Sequence, residues 1–139
     1  MRKNESVTHV MTENPITVHH GDPISKVREI FQSNNIHHLP VVSGKELKGM
    51  ISWTDLMRIS FGDAFDQDEK SVDVTLDHTF NIEDVMEKDL RTVSPTDSVR
   101  DAAVILSEAD CHALPVVSGN ELVGIVSSKD LIKFLVSLY

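Results

Sequence analysis

The sequence predicts an α/β fold built from two copies of one small β-α-β-β-α unit. Three observations predict it. The chain aligns on itself without a gap at an offset of 75 residues. In each copy a segment with helical spacing precedes two β-branched runs joined by a glycine turn. Each copy then ends on a second segment with apolar residues at helical spacing. At that offset 19 of the 51 positions from 10 to 60 are identical, where ordinary compositions give roughly one in seventeen. Duplication accounts for that excess.

The elements follow in order. A short helix ends at Met11 or Met86. A brief extended segment comes next, Ile16-Thr17-Val18 or Arg91-Thr92-Val93. Asp22-Pro23 then places a capping side chain before a proline at the first helical position. In the second copy Asp97 or Thr96 is expected to cap. The helix that follows carries Ile24, Val27, Ile30 and Phe31, or Val99, Ala102, Ala103 and Leu106. Two strands, Leu39 to Val42 and Leu47 to Ser52, turn at Ser43-Gly44-Lys45-Glu46, and Ser118-Gly119-Asn120-Glu121 repeats the turn. A final helix carries Leu56, Met57 and Ile59, or Leu131, Ile132, Phe134, Leu135 and Leu138. The repeats span 6–60 and 81–139, with an acidic segment at 61–80. That segment is expected to be a solvated connector pinned by Phe61, Phe65 and Phe80. One unit of about 50 residues is marginal alone, so two are expected to share a core.

Composition narrows the function. The 139 residues carry a net charge of -9, from 22 acidic and 13 basic side chains. Such a surface repels nucleic acid phosphates and anionic lipid, so neither is an expected partner. The lone Cys111 forms no internal disulfide. A charged N-terminus with no long apolar run after it predicts a cytoplasmic protein.

The strongest local signal is Gly-x-x-Ser-x-x-Asp behind a Leu-Pro-Val-Val run, found twice. The first set is Leu39-Pro40-Val41-Val42 with Gly49 to Asp55, and the second is Leu114-Pro115-Val116-Val117 with Gly124 to Asp130. This pattern resembles the CBS domain, named after cystathionine beta-synthase, over nearly the whole chain. The resemblance implies two CBS repeats packed with pseudo-twofold symmetry, a Bateman module. It implies a regulatory ligand-binding role in clefts between the repeats, with AMP, ADP or ATP as ligand. No catalytic residue, metal or required cofactor is expected. A homodimer and a regulated partner protein are.

The residue types suit that role. Gly49 and Gly124 would let a ligand ring approach the strand backbone. Ser52 and Ser127, where a strand gives way to a helix, suit a phosphate. Asp55 and Asp130 would accept hydrogen bonds from both ribose hydroxyls. The competing reading is helix capping, which asks for the same residues. By family analogy the Asp55 site adds Ser52, Thr54 and Met50, with a wall at Leu90, Cys111 and His112. The Asp130 site adds Ser127, Lys129 and Ile125, with walls from Thr12, Ile16, Ile36 and His37. A basic pair before the Leu-Pro step, His37-His38, would contact phosphate, and the second copy has only His112. Lys129 replaces Thr54. The two sites are thus unequal, and the Asp55 site is expected to match the family pattern more closely.

Two rival readings remain open from sequence. One is a structural dimerisation module with empty clefts, for which the apolar last helix, Leu131 to Leu138, is a candidate face. The other is a metal or pH sensor built on the seven histidines. Against metal, adjacent strand residues such as His19-His20 and His37-His38 are expected to face opposite ways. Trp53 is expected to pack at an edge or at a dimer face.

Overall fold

The computed structural model describes residues 5–60 and 69–139. A 3-10 turn at Val7–His9 leads to β1 (Thr12–Glu13), β2 (Val18–His19), α1 (Ile24–Ser33), β3 (His38–Ser43), β4 (Glu46–Ser52) and α2 (Trp53–Ser60). Then come α3 (Glu69–Thr79), α4 (Ile82–Val85), α5 (Val99–Glu108), β5 (Ala113–Ser118), β6 (Glu121–Ser127) and α6 (Ser128–Ser137). The first repeat shows the predicted β-α-β-β-α order; in the second, among the described residues, no strand precedes α5, where Val93 makes only an isolated bridge, and α3 is an added helix. No helix among the described residues is long and apolar enough to cross a membrane. Each hairpin turns on a glycine at positive φ, Gly44 at 61° and Gly119 at 67°, a conformation that a side chain resists.

The chain forms two compact units, and their boundaries cut across the repeats. One unit gathers Ile16–Gly44 and Lys48–Asp89. The other gathers the chain up to Pro15, Lys45–Leu47 and Leu90–Tyr139. In the first unit, β2 runs parallel to β3 with Val18 opposite Val41. Its core joins Val18, Ile24, Val27, Phe31, Leu39, Val41, Ile51 and Leu56 to Leu76 and Ile82. In the second unit, β6 pairs antiparallel with β5 on one side and with β1 on the other. Val93 bridges Val116 in parallel. That core joins Val93, Ala102, Leu114, Val116 and Val126 to Val7.

Val7 and Ile82 occupy equivalent positions in the two repeats, and both are 0% exposed. Each is buried in the core that belongs mainly to the other repeat. Burying one such side chain stabilises by about 1.5–3 kcal/mol. The leading segment of each repeat thus completes the other repeat's unit.

The caps of the first long helices differ from expectation. Asp22 does not cap α1; its Oδ2 accepts from the His19 amide at 3.0 Å and closes a turn. Pro23 takes the cap position, and its ring offers no acceptor. The cap comes from α3, where Asp77 accepts from the Ser25 amide at 2.8 Å and from the Ser25 hydroxyl at 2.7 Å. In the second repeat Asp97 accepts from the Ser94 amide at 2.8 Å and Thr96 pairs with the Ser94 hydroxyl. Ser98 caps α5 instead, in a reciprocal box with Asp101.

The acidic segment is therefore not all solvated connector. Leu76 of α3 is 0% exposed, Phe80 packs against the first core, and Arg28 Nη1 meets Asp73 Oδ1 at 2.9 Å. Phe61 and Phe65 lie outside the described residues.

Candidate functional site

The two Gly-x-x-Ser-x-x-Asp runs build the same object twice. In each, a strand ends at the serine and a helix begins on the next residue. Ser52 Oγ accepts from the Asp55 amide at 3.1 Å, while Asp55 Oδ2 accepts from the Ser52 amide at 2.9 Å. Ser127 and Asp130 repeat those bonds at 3.1 and 2.9 Å. Both are capping boxes, the arrangement that satisfies two orphan amides at a helix start. A carbonyl from the preceding loop completes each one. His37 accepts from the Trp53 amide at 2.9 Å, and His112 accepts from the Ser128 amide at 2.9 Å.

The capping therefore holds at both starts, and it spends Oδ2 of each aspartate. What remains is Oδ1, and here the copies differ. Asp55 Oδ1 meets Arg58 Nη1 at 3.3 Å, one helical turn on. Lys133 is the equivalent residue in the second copy, and it forms no ion pair with Asp130. Each serine hydroxyl accepts one amide and keeps its own proton for donation.

The glycines are not open to a ligand ring. A Cβ on Gly49 would lie 2.6 Å from Met86 Sδ and 2.9 Å from the Glu87 carbonyl oxygen. A Cβ on Gly124 would lie 2.5 Å from Met11 Sδ and 2.9 Å from the Thr12 carbonyl oxygen. The space that a side chain would fill is taken by the leading segment of the other repeat. That segment pairs with the glycine strand, Thr12 opposite Ile125 and Glu87 opposite Met50. Sequence reasoning missed this contact. Its signal was present, since the Val-Met pair and the glycine recur at one offset.

Within the first unit the structure brings together Met50, Ser52, Thr54, Asp55 and the backbone of His37. Met50 is buried, Thr54 and His37 are exposed, and His38 is half-buried. Ile36 packs against the core, and Ile16 is 42% exposed. Within the second unit it brings together Thr12, Ile125, Ser127, Asp130 and the backbone of His112, with Lys129 exposed. Cys111 packs against the second core. Burial raises its thiol pKa, against a lowering by Arg91, so it stays protonated at neutral pH.

His19 and His20 depart from the alternation expected of a strand. β2 ends at His19, the chain turns, and the two rings lie 4.4 Å apart, tilted by 36°. His20 Nδ1 meets Glu83 Oε1 at 2.8 Å. No group of three His, Cys, Asp or Glu side chains among the described residues is placed to hold a metal ion. Trp53 is 37% exposed and meets the edge of Phe31 at 5.8 Å between ring centres.

The chain is similar in sequence or in fold to several known proteins. The chain is 32% identical over 139 residues to protein MJ1404 of Methanocaldococcus jannaschii, covering 98% of this chain and 33% of that protein. It is 30% identical over 128 residues to a homoserine O-acetyltransferase of Methanocorpusculum labreanum, covering 91% of this chain and 23% of the transferase. The chain spans well under half the length of either relative. Among solved structures, the CBS domain pair of protein MJ0100 in complex with 5′-methylthioadenosine and S-adenosyl-L-methionine superposes with a TM-score of 0.76 at 25% identity. The match covers 94% of this chain and 98% of that one. The family profile of the CBS domain matches residues 7–62 and again 82–137, each stretch with its own capped Ser-x-x-Asp helix start, so the chain belongs to the CBS domain family and carries two such domains.

Proposed function

We propose that this chain is a regulatory module that binds an adenine nucleotide, or a related adenosine compound, at its Ser-x-x-Asp helix starts and performs no catalysis on it. The observation that carries this reading is the twin geometry at Asp55 and Asp130, where Oδ2 is spent on the cap and Oδ1 is not. A carboxylate oxygen accepts two hydrogen bonds, so Oδ1 alone can take both hydroxyls of a ribose diol. Ser52 and Ser127 keep a proton to donate, and Thr54 and Lys129 stand exposed beside them. Met50 and Ile125 flank the two starts. The further wall residues are Thr12, Ile16 and Ile36, with the basic His37, His38 and His112. A CBS domain pair at 25% identity was crystallised with two adenosine compounds, which supports the ligand class.

Sequence favoured the Asp55 site, and the proposal here reverses that order. Arg58 already meets Asp55 Oδ1 at 3.3 Å, whereas no described residue makes such an ion pair with Asp130. Asp130 is the tighter site in this account. Ligand binding would favour one conformation of the module, which a regulated partner reads. Mass spectrometry of small molecules released from the purified protein tests the class directly. An adenosine compound is expected, and one that returns in substoichiometric amounts from Asp130→Asn. Release of a different ligand class, at full occupancy, would overturn the proposal.

A specific observation also favours self-association. On α6, Ile132, Leu135 and Val136 are 59, 52 and 67% exposed, an apolar stripe at helical spacing. We infer a homodimer through that face. Ile132→Asp with Val136→Asp should give a monomer by sedimentation, and an unchanged sedimentation coefficient would sink the inference.

A further inference from the structure

We propose that α3 is a removable cap that closes the first unit against a second copy of this chain, so that two copies pair only through the second unit. The inference rests on the α6 homodimer inferred above. Among the described residues α3 has no counterpart in the second unit. It packs against α1 and α2. Its Leu76 enters the core that holds Phe31 and Leu56, and both of those are buried. Their equivalents in the second unit, Leu106 and Leu131, are only half-buried. Met57 of α2 is 37% exposed, against 59% for its equivalent Ile132 on α6. One unit thus carries a cover that the other lacks, and the uncovered one shows the apolar stripe.

The cap is held by few groups. Among the described side chains of α3 only Leu76 is buried, and Val74 points to solvent. Two carboxylates clasp it to α1, Asp77 on Ser25 and Asp73 on Arg28. The second unit lacks both clasps. Arg100 stands where α1 has Ser25, and Ala103 stands where it has Arg28. α5 also supplies its own cap from Ser98 and Asp101. That face is therefore not built to take α3 from another copy. What it offers is an uncharged stripe, Ile132, Leu135 and Val136, and such a stripe matches itself across a twofold axis. The occupant is the same face of a second copy.

The test starts from Ile132→Asp with Val136→Asp, which spoils the open face, and asks whether uncapping the first unit restores pairing. Val74→Pro breaks α3 at an exposed position, since proline lacks the amide and clashes with the preceding turn. Asp73→Ala with Asp77→Ala removes both clasps and leaves the core intact. Sedimentation velocity reads the mass, and hydrogen exchange of the α3 amides reads its release. The α6 variant should be a monomer, and adding either change should give a dimer, a twofold rise in mass. A monomer with α3 released would overturn the inference, as would α3 amides that stay protected in both combinations. Loss of cooperative unfolding in both would overturn it too, since α3 would then be part of the fold and not removable. Each of these results leaves the α6 homodimer standing. A wild type that is already monomeric, or an α6 variant that stays dimeric, would overturn the α6 reading and the cap with it.

Discussion

Gly124 sits where a methyl group would press on two different kinds of neighbour. The Met11 sulfur at 2.5 Å can swing aside, but the Thr12 carbonyl oxygen at 2.9 Å is held in the β1–β6 pairing. Gly124→Ala should therefore destabilise the fold by about 1–3 kcal/mol, the usual range for overpacking. Adding Met11→Ala should recover only part of the loss. Urea midpoints of the single and double variants check this, and a wild-type midpoint for Gly124→Ala would contradict it. At this scale the serine and aspartate of each helix start were legible from their spacing. So was the capping alternative, which the structure bears out twice. The methionine contact went unread, because its two halves lie far apart in the chain and only their recurrence at one offset hints at it.

The two long helices that open the repeats obtain their caps differently. α5 carries its own box in Ser98 and Asp101, whereas α1 borrows Asp77 from α3. Asp77→Ala should cost about 1 kcal/mol, the usual worth of a helix cap. Asp77→Asn should retain most of it, since an amide oxygen also accepts. Equal midpoints for wild type and Asp77→Ala would refute the borrowed cap. Sequence reasoning placed α1 correctly from its apolar spacing but gave the cap to Asp22. A local rule could not see an acceptor more than fifty residues away, as Asp77 is from Ser25. The box of α5 also has a pH signature. Hydrogen bonds from the Ser98 backbone and then its side chain lower the Asp101 pKa below the ordinary 3.8. A lowered folded-state pKa stabilises above the unfolded value and is lost as pH falls through the folded one. Wild type should therefore lose stability more steeply below pH 3.8 than Asp101→Asn does, by urea midpoint against pH. Parallel curves would contradict the assignment.

For the whole molecule, duplication told how many units to expect but not which pieces form them. Val7 and Ile82 are each buried in the core of the other repeat, and Met11 and Met86 pack on the other repeat's glycine. A chain of residues 81–139 alone would lack Val7, Met11 and the β1 strand that covers the edge of β6. It should show no cooperative thermal transition by circular dichroism, whereas the full chain should show one. A sharp transition in the isolated repeat would contradict the exchanged segments. The family and the fold class were legible in the sequence, because a motif found twice at one offset is specific. The different surroundings of the two aspartates were only partly legible, because whether the basic residue three positions on closes on its aspartate, as Arg58 does on Asp55, is set by the side-chain conformation and not by the spacing.

The central claim is that a ligand diol rests on the carboxylate oxygen that each helix cap leaves over. Titration calorimetry of adenosine into wild type, Asp55→Asn and Asp130→Asn addresses it most directly, since the amide keeps an acceptor for the cap and removes the charge. Saturable binding is expected in wild type. A loss of about 1.5–3 kcal/mol is expected in Asp130→Asn, as for a hydrogen bond to a charged group, with a smaller loss in Asp55→Asn. Identical affinity in all three proteins would contradict the account.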